Sequence, residues 1–290
     1  MTRLIAFTCV FGIGSAVCFA DPPASSYIVP AGGQRGTTVQ CRVGGLNLAA
    51  EGGFRMLGQG VEAPAKISSM PTLVLIGPYH HNPIAQQQWD YPKDMAATIK
   101  IAADAPLGPR YWYCTTSEGA TQLRAFVVGD LPEVIEDEEK TDPGRPQQVA
   151  VPATINGRIY PRADLDEYTF AGKAGQHLAC EVMSQQLGHK LDAKLELRDS
   201  AGRLIAESDD HAGRDPLLVA TLPADGDYVL RIHDIAFEGD QDYVYRLTVR
   251  VGPHITHAFP AGARRGGTTG VRFYGSGMGA DGFEIGRAHV

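Results

Sequence analysis

Between residues 243 and 250 the chain alternates without a break. Tyr243, Tyr245, Leu247 and Val249 fall on one side, and Val244, Arg246, Thr248 and Arg250 on the other. A period of two sends successive side chains to opposite faces of an extended strand, and it is not a helical period. The pattern recurs where Leu195 and Leu197 sit between Lys194, Glu196 and Arg198. It recurs again where Tyr228, Leu230 and Ile232 alternate with Val229, Arg231 and His233. Half-buried antiparallel strands require this, with one face to the core and one to water. Turn signals stand at Asn156-Gly157, Ala201-Gly202, Asp225-Gly226 and Glu238-Gly239. Residues 149–251 are expected to form a sandwich of about eight or nine strands, of jelly-roll type.

Residues 21–130 read as a second, Ig-like sandwich. Residues 37–43 alternate with Val39, Cys41 and Val43 on one face. Residues 95–101 and 123–128 are further strand candidates. Residues 110–115 place Trp112 and Cys114 on one face and Tyr111 and Tyr113 on the other. Helical periodicity is absent, which favours this class. Residues 57–91 read as long loops around a strand at 72–76. The fold class is therefore all-β: two antiparallel sandwiches, Ig-like and then jelly-roll-like.

A near-repeat adds the start of a third module. Pro30-Ala31-Gly32-Gly33-Gln34-Arg35-Gly36-Thr37-Thr38-Val39 returns as Pro260-Ala261-Gly262-Ala263-Arg264-Arg265-Gly266-Gly267-Thr268-Thr269-Gly270-Val271. A repeated turn-into-strand signature implies that one kind of module begins twice. Residues 252–283 are read as the opening of a second Ig-like module, so that the chain is a fragment of a longer modular protein.

Residues 1–20 read as a secretory signal peptide: Arg3, an apolar stretch and the small residue Ala20 before Asp21-Pro22-Pro23. The apolar stretch is shorter than the roughly 20 residues a membrane span needs, so no span is expected in the mature protein. The last seven residues, Glu284-Ile285-Gly286-Arg287-Ala288-His289-Val290, match the in-frame translation of a sequencing adapter and are set aside from functional reasoning. The formal net charge of −7, without a basic cluster, argues against nucleic acid as a partner. The location implied is secreted, periplasmic or cell-surface.

Residues 131–148 carry Glu133, Glu136, Asp137, Glu138, Glu139 and Asp142 among prolines. The default reading of such a run is a solvated acidic linker.

The second sandwich resembles the bacterial pre-peptidase C-terminal domain. The resemblance rests on Asp164-Leu165-Asp166-Glu167-Tyr168-Thr169-Phe170, Ala174-Gly175-Gln176 and Leu187-Gly188-His189-Lys190-Leu191-Asp192. It continues through Leu195-Glu196-Leu197-Arg198-Asp199-Ser200-Ala201-Gly202, Glu207-Ser208-Asp209-Asp210 and Asp215-Pro216. It ends with Pro223-Ala224-Asp225-Gly226-Asp227-Tyr228 and Tyr243-Val244-Tyr245-Arg246-Leu247. The family is a non-catalytic sandwich appended to secreted peptidases and other surface proteins. The first sandwich is similar to the transcription-factor-Ig/plexin type of module (IPT/TIG), on its Pro-Ala-Gly-Gly turn, the strand after it and Ala105-Pro106-Leu107-Gly108.

The resemblance implies candidate ligands for calcium. Glu136 and Glu138 stand where the family places acidic linker ligands, and Asp164 and Asp166 stand in the loop before the Tyr-x-Phe strand. Calcium takes several carboxylate and carbonyl oxygens on flexible loops. The alternative is a solvated linker with turn-capping aspartates. Asp209, Asp210 and Asp215 form a second acidic group, read as loop hydrogen-bond acceptors. Likeness to immunoglobulins implies a disulfide between Cys41 and Cys114, on core-facing positions of the strands equivalent to B and F, with two buried free thiols as the alternative. Cys180 reads as a core residue. Tyr79, Trp89, Tyr91, Tyr111 and Tyr113 are weighed as stacking platforms for sugars, against ordinary core roles.

No catalytic residues are expected. The chain has no Gly-x-Ser-x-Gly, phosphate-binding glycine loop, Cys-x-x-Cys or His-Glu-x-x-His. The function expected is that of non-catalytic binding or adhesion modules, with no required cofactor beyond possible calcium. The partner expected is extracellular matrix, a polysaccharide or an envelope protein. The alternatives are an accessory region of a secreted peptidase or other hydrolase, and a structural spacer.

Overall fold

A computed structural model describes residues 21–72, 93–137, 145–278 and 287–289. The strand expected at 72–76 and Trp89, Tyr91 and Tyr79 fall on or beyond the edge of these ranges, as do the signal peptide and Glu138.

The first module contains β1 (Ala24–Val29), β2 (Gly32–Gln34), β3 (Thr38–Leu46), β4 (Gly53–Leu57), β5 (Val61–Glu62), β6 (Ser68–Ser69), β7 (Lys93–Ile101), β8 (Gly108–Thr116), β9 (Gly119–Ala120) and β10 (Arg124–Gly129). One sheet runs β1-β3-β7-β5 with β6 on β7, and the other β2-β10-β8-β4 with β9 on β8. Their inward rows enclose one core that includes Tyr27, Ile28, Val43, Phe54, Ile99, Trp112 and Phe126. The expected facing of β8 holds, with Trp112 and Cys114 buried and Tyr111 exposed.

The second module contains β11 (Glu133–Ile135), β12 (Gln147–Gln148), β13 (Ala153–Arg158), β14 (Leu165–Gly172), β15 (His177–Met183), a 3₁₀ turn (Gln185–Leu187), β16 (Ala193–Asp199), β17 (Leu204–Ser208), β18 (Leu217–Thr221), β19 (Gly226–Asp234) and β20 (Val244–Val251). Its sheets run β11-β13-β20-β15-β18 and β12-β14-β19-β16-β17. The apolar rows of both sheets meet in a single core, with Ile155, Tyr168, Phe170, Cys180, Leu195, Leu230, Tyr245 and Leu247 among its members.

The reading of residues 131–148 as a solvated linker is corrected at both ends. β11 joins one sheet parallel to β13, and β12 joins the other parallel to β14. The entering chain therefore completes an edge of each sheet. Asn156-Gly157 is a second correction: it lies inside β13 rather than at a turn.

The first half of the β20 face expected to meet water is also buried, while Arg250 at its far end stays exposed. Val244 and Arg246 are 0% and 3% exposed, and opposite them Asn156 and Arg158 on β13 are 0% and 1% exposed. The first module lies on this face. Its core cluster extends to Val244 and Leu187, and the Arg158 guanidinium sits 5.8 Å from the centre of the Tyr27 ring. Gly32 makes the approach possible, because a Cβ there would overlap the Arg246 guanidinium.

Beyond β20 come β21 (His254–Phe259), β22 (Thr268–Gly270), β23 (Arg272–Ser276) and β24 (Arg287–His289). The repeat is structural as well as sequential. β1 on β3 pairs Val29↔Arg42, Ile28↔Val43 and Tyr27↔Gly44, shifts register, and resumes at Ser25↔Gly45. β21 on β23 pairs Phe259↔Arg272, Ala258↔Phe273 and His257↔Tyr274, shifts register, and resumes at Ile255↔Gly275. Gly36 and Gly266 both take positive φ, at 82° and 74°. The segment set aside as adapter-like is not without structure, since β24 pairs with β22.

The disulfide expected between Cys41 and Cys114 is not formed; both are free, buried thiols, as is Cys180. Cys41 lies on β3 and Cys114 on β8, in opposite sheets. A disulfide across two sheets forms only where the two Cα atoms come within about 7 Å. Aromatic side chains fill the core instead, with the Phe54 and Trp112 rings 5.9 Å apart. The Cys41 thiol turns to the Pro30 carbonyl at 3.9 Å.

Candidate metal site and the module seam

β11 delivers Glu136 to the rim of the second core. The Glu136 N–H donates to the Asn156 carbonyl at 2.9 Å, which continues the β11–β13 ladder past the strand's end. Its Oε2 accepts the Arg158 N–H at 2.9 Å. Asp164 and Asp166 come from the approach to β14. Asp164 accepts the Leu165 N–H at 2.8 Å and the Tyr160 N–H at 3.1 Å, which fixes the loop. Asp166, 1% exposed, points inward at the start of β14.

Glu136, Asp164 and Asp166 each offer a carboxylate oxygen, and these oxygens lie within 4.8 Å of one another. Three of the four residues expected as calcium ligands are thus brought together, and Glu138 is outside the described residues. Gly157 explains how they fit. It lies opposite Tyr245 in the β13–β20 pair, and a Cβ on it would come within 2.5 Å of the Tyr245 hydroxyl and 2.6 Å of Glu136 Oε2. A side chain here would collide with both the Glu136 carboxylate and the Tyr245 phenol. This is the role of the glycine that sequence reasoning took for a turn.

Two tyrosines close the inner side. The Tyr245 hydroxyl donates to Asp166 Oδ2 at 2.7 Å, and the Tyr168 and Tyr245 hydroxyls are 2.5 Å apart. Burial raises both phenols well above their ordinary value, and the charges of Glu136 and Asp166 raise them further. Both therefore stay protonated and act as donors. The signal for Tyr245 was its inward phase in the alternating run; nothing in that pattern marked its hydroxyl as a partner of Asp166.

Gathering three carboxylates, two of them buried, at one point is unfavourable unless a cation, protons or hydrogen-bond donors offset the charge. The donor set is oxygen only, with no imidazole or thiolate, which suits a hard divalent cation such as Ca²⁺ and not zinc. The residues present therefore fit calcium. Glu136, Asp164 and Asp166 would hold it, and it would supply positive charge that ties the entering strand to the sandwich.

The second acidic group behaves as expected of structural aspartates in one part. Asp215 accepts the N–H groups of Ser184 at 3.0 Å, Gln185 at 2.8 Å and Gln186 at 3.0 Å, anchoring the 3₁₀ turn. Asp209 and Asp210 are exposed.

The seam itself is polar and closely paired. Arg246 donates to Glu133 at 2.8 and 3.1 Å and to Asn156 at 3.0 Å, and the Asn156 amide donates to Glu133 at 2.5 Å. Alongside runs a cleft of about 590 Å³ between the outward row of β3, with Gln40 and Arg42, and the strip formed by Ile135, Asp137, Gln147 and Arg158. A neighbouring cavity of about 370 Å³ shares Pro30, Gln40, Ile135 and Asn156 with it, so both lie along the seam between the modules.

No known family profile matches the chain. Over 70 residues it is 40% identical to a probable subtilase-type serine protease of Deinococcus radiodurans; the match takes in 24% of this chain and 10% of that protein's length. Among solved structures it is similar to the pre-peptidase C-terminal domain of a Bacillus anthracis collagenase, at 16% identity and a TM-score of 0.31, over 38% of this chain and 98% of that one. It is also similar to SGBP-B of the Bacteroides ovatus mixed-linkage glucan utilization locus, solved in complex with a mixed-linkage heptasaccharide, at 12% identity and a TM-score of 0.22, over 73% of this chain and 74% of that one. Among the described residues no helix is long and apolar enough to cross a membrane.

Proposed function

We propose that the chain is a non-catalytic binding region of a secreted or envelope-associated bacterial protein, and that its second sandwich holds Ca²⁺ through Glu136, Asp164 and Asp166. The observation that carries this reading is the convergence of those three carboxylates where the entering strand joins the second sandwich. Such a site has no nucleophile and no open chemistry; its product is a fixed joint. The groove along the joint is where an extended extracellular polymer, a matrix protein or a polysaccharide, would lie.

The stretch of 40% identity to the Deinococcus protease favours one second reading, an accessory region of a secreted peptidase. The two readings differ in what supplies activity, not in what this region does.

The calcium arm is tested by calorimetry and melting with and without millimolar Ca²⁺. A melting rise that Glu136→Gln and Asp166→Asn each abolish is expected, and no shift in the wild type overturns the assignment. The binding arm is tested by retention on insoluble gelatin and on insoluble mixed-linkage glucan. Retention on one of them, reduced by Gln40→Ala with Arg42→Ala, is expected. Equal loss in the column flow-through for all proteins on both matrices overturns it.

A further inference from the structure

We propose that the seam between the two sandwiches is an acid-sensitive latch triggered by His189. His189 follows the 3₁₀ turn at the seam and is 7% exposed, with its N–H bonded to the Ser184 carbonyl at 3.0 Å. Its ring bonds to the backbone of Asp242, and its Nδ1 is buried without a partner. Across the seam stands Arg124 on β10 of the first module. Arg124 donates to the Gly188 carbonyl and, at 3.4 Å, to the Ser25 carbonyl, while its Nε is buried without a partner. Asp242, on the turn before β20, lies 3.5 Å from Lys190 through one oxygen and has the other buried without a partner. The charged groups around His189 are therefore Arg124 from the first module, Asp242 from the turn, and Lys190 beside it in sequence.

A proton on His189 would set a second cation against the Arg124 guanidinium where water does not reach. Burial, and then Arg124, pushes the imidazole down from 6.5 to about 3. With the modules apart the ring loses the repulsion of Arg124, so the undocked form binds more protons. Docking is then at full strength above the ordinary imidazole value and is lost as the pH falls below it. Asp242 works in the opposite direction: burial raises its carboxyl, so the docked form takes that proton more readily and cannot drive release. Protonation of His189 beside Arg124 therefore weakens docking as the pH falls from 7.5 to 5.5.

Hydrogen exchange on the full chain reads this directly. Protection of the Leu187, Gly188 and His189 amides, whose turn meets the first module through Leu187 and Arg124, is expected to drop several-fold from pH 7.5 to 5.5 once corrected for the intrinsic rate at each pH. Amides of β16, in the far sheet, keep their protection. His189→Gln flattens the response, with His189→Asn as the second variant should the first not fold, and Asp242→Asn keeps it. The proposal is overturned by a flat wild-type profile, by an equal drop in both His189 variants, or by an imidazole of His189 that titrates near its ordinary value in the docked protein.

Discussion

Removing Glu133 should cost more than removing the arginine it holds. Arg246 is 3% exposed along its side chain and Glu133 14%, so the base is the deeper member of the pair. Glu133→Ala deletes both carboxylate contacts to Arg246 and the one to Asn156, leaving the guanidinium only the Asn156 oxygen at 3.0 Å. An uncompensated buried charge of this kind costs about 3–5 kcal/mol. Arg246→Met leaves a carboxylate nearer to water that keeps its bond from Asn156, so its cost should be about 1–3 kcal/mol. Glu133→Gln keeps the shape and part of the hydrogen bonding and should fall between wild type and Glu133→Ala. Urea unfolding at fixed ionic strength, followed by far-UV circular dichroism, measures all three, and separate transitions of the modules are fitted separately. A Glu133→Ala cost below about 1 kcal/mol, or a larger cost for Arg246→Met, refutes the claim that this pair is a buried charge at the joint.

Other outcomes follow from single positions. Cys41, Cys114 and Cys180 should resist thiol reagents in the native protein and react in denaturant, because burial raises all three thiols, Cys114 and Cys180 to about 12; mass spectrometry after timed alkylation checks this, and a disulfide-linked peptide contradicts it. Gly157→Ala should destabilise the second module by about 1–3 kcal/mol and weaken any calcium response, since the new Cβ meets the Tyr245 hydroxyl and Glu136. Asp215→Ala should cost about 1–3 kcal/mol by stranding three N–H groups of the 3₁₀ turn, and a change within about 0.5 kcal/mol, the range of ordinary surface substitutions, would show that water replaces it.

The strands of the second sandwich were legible because burial on one face writes a period of two into the residues themselves. β16, β19 and β20 follow the alternating runs closely. What the alternation did not contain was the fate of the other face. Val244, Arg246 and Thr248 look like an outward row in sequence, and they are outward from their own core, yet the first module packs against Val244 and Arg246. The mixture of valine, arginine and threonine suits a polar interface as well as it suits solvent. β2, β11 and β12 went unread for another reason: each has only two or three residues, too few to show a period, and each is held by a partner strand far away in sequence. Part of the metal site was legible through the family's acidic positions. The part carried by Gly157 was not, since Asn-Gly reads locally as a turn and only the approach of Tyr245 gives it another meaning.

The two copies of the hairpin separate local from tertiary coding. Both form the same pairs and the same register shift, although Tyr27 in one corresponds to His257 in the other and Gly44 to Tyr274. In the first copy the Tyr27 ring occupies the space a Cβ on residue 44 would need, and it is fully buried. In the second, the His257 and Tyr274 rings stack at 4.6 Å, and Phe259 is 66% exposed. Register therefore belongs to the hairpin and its turn, while burial depends on what packs over it. Exchanging the pair, Tyr27→His with Gly44→Tyr, should leave the β1–β3 register intact but expel the new tyrosine from a core already filled. The expected cost is that of an overpacked site, about 1–3 kcal/mol or more. Cross-strand amide contacts in NMR that shift by one residue in this variant would show instead that the buried Tyr27 sets the register.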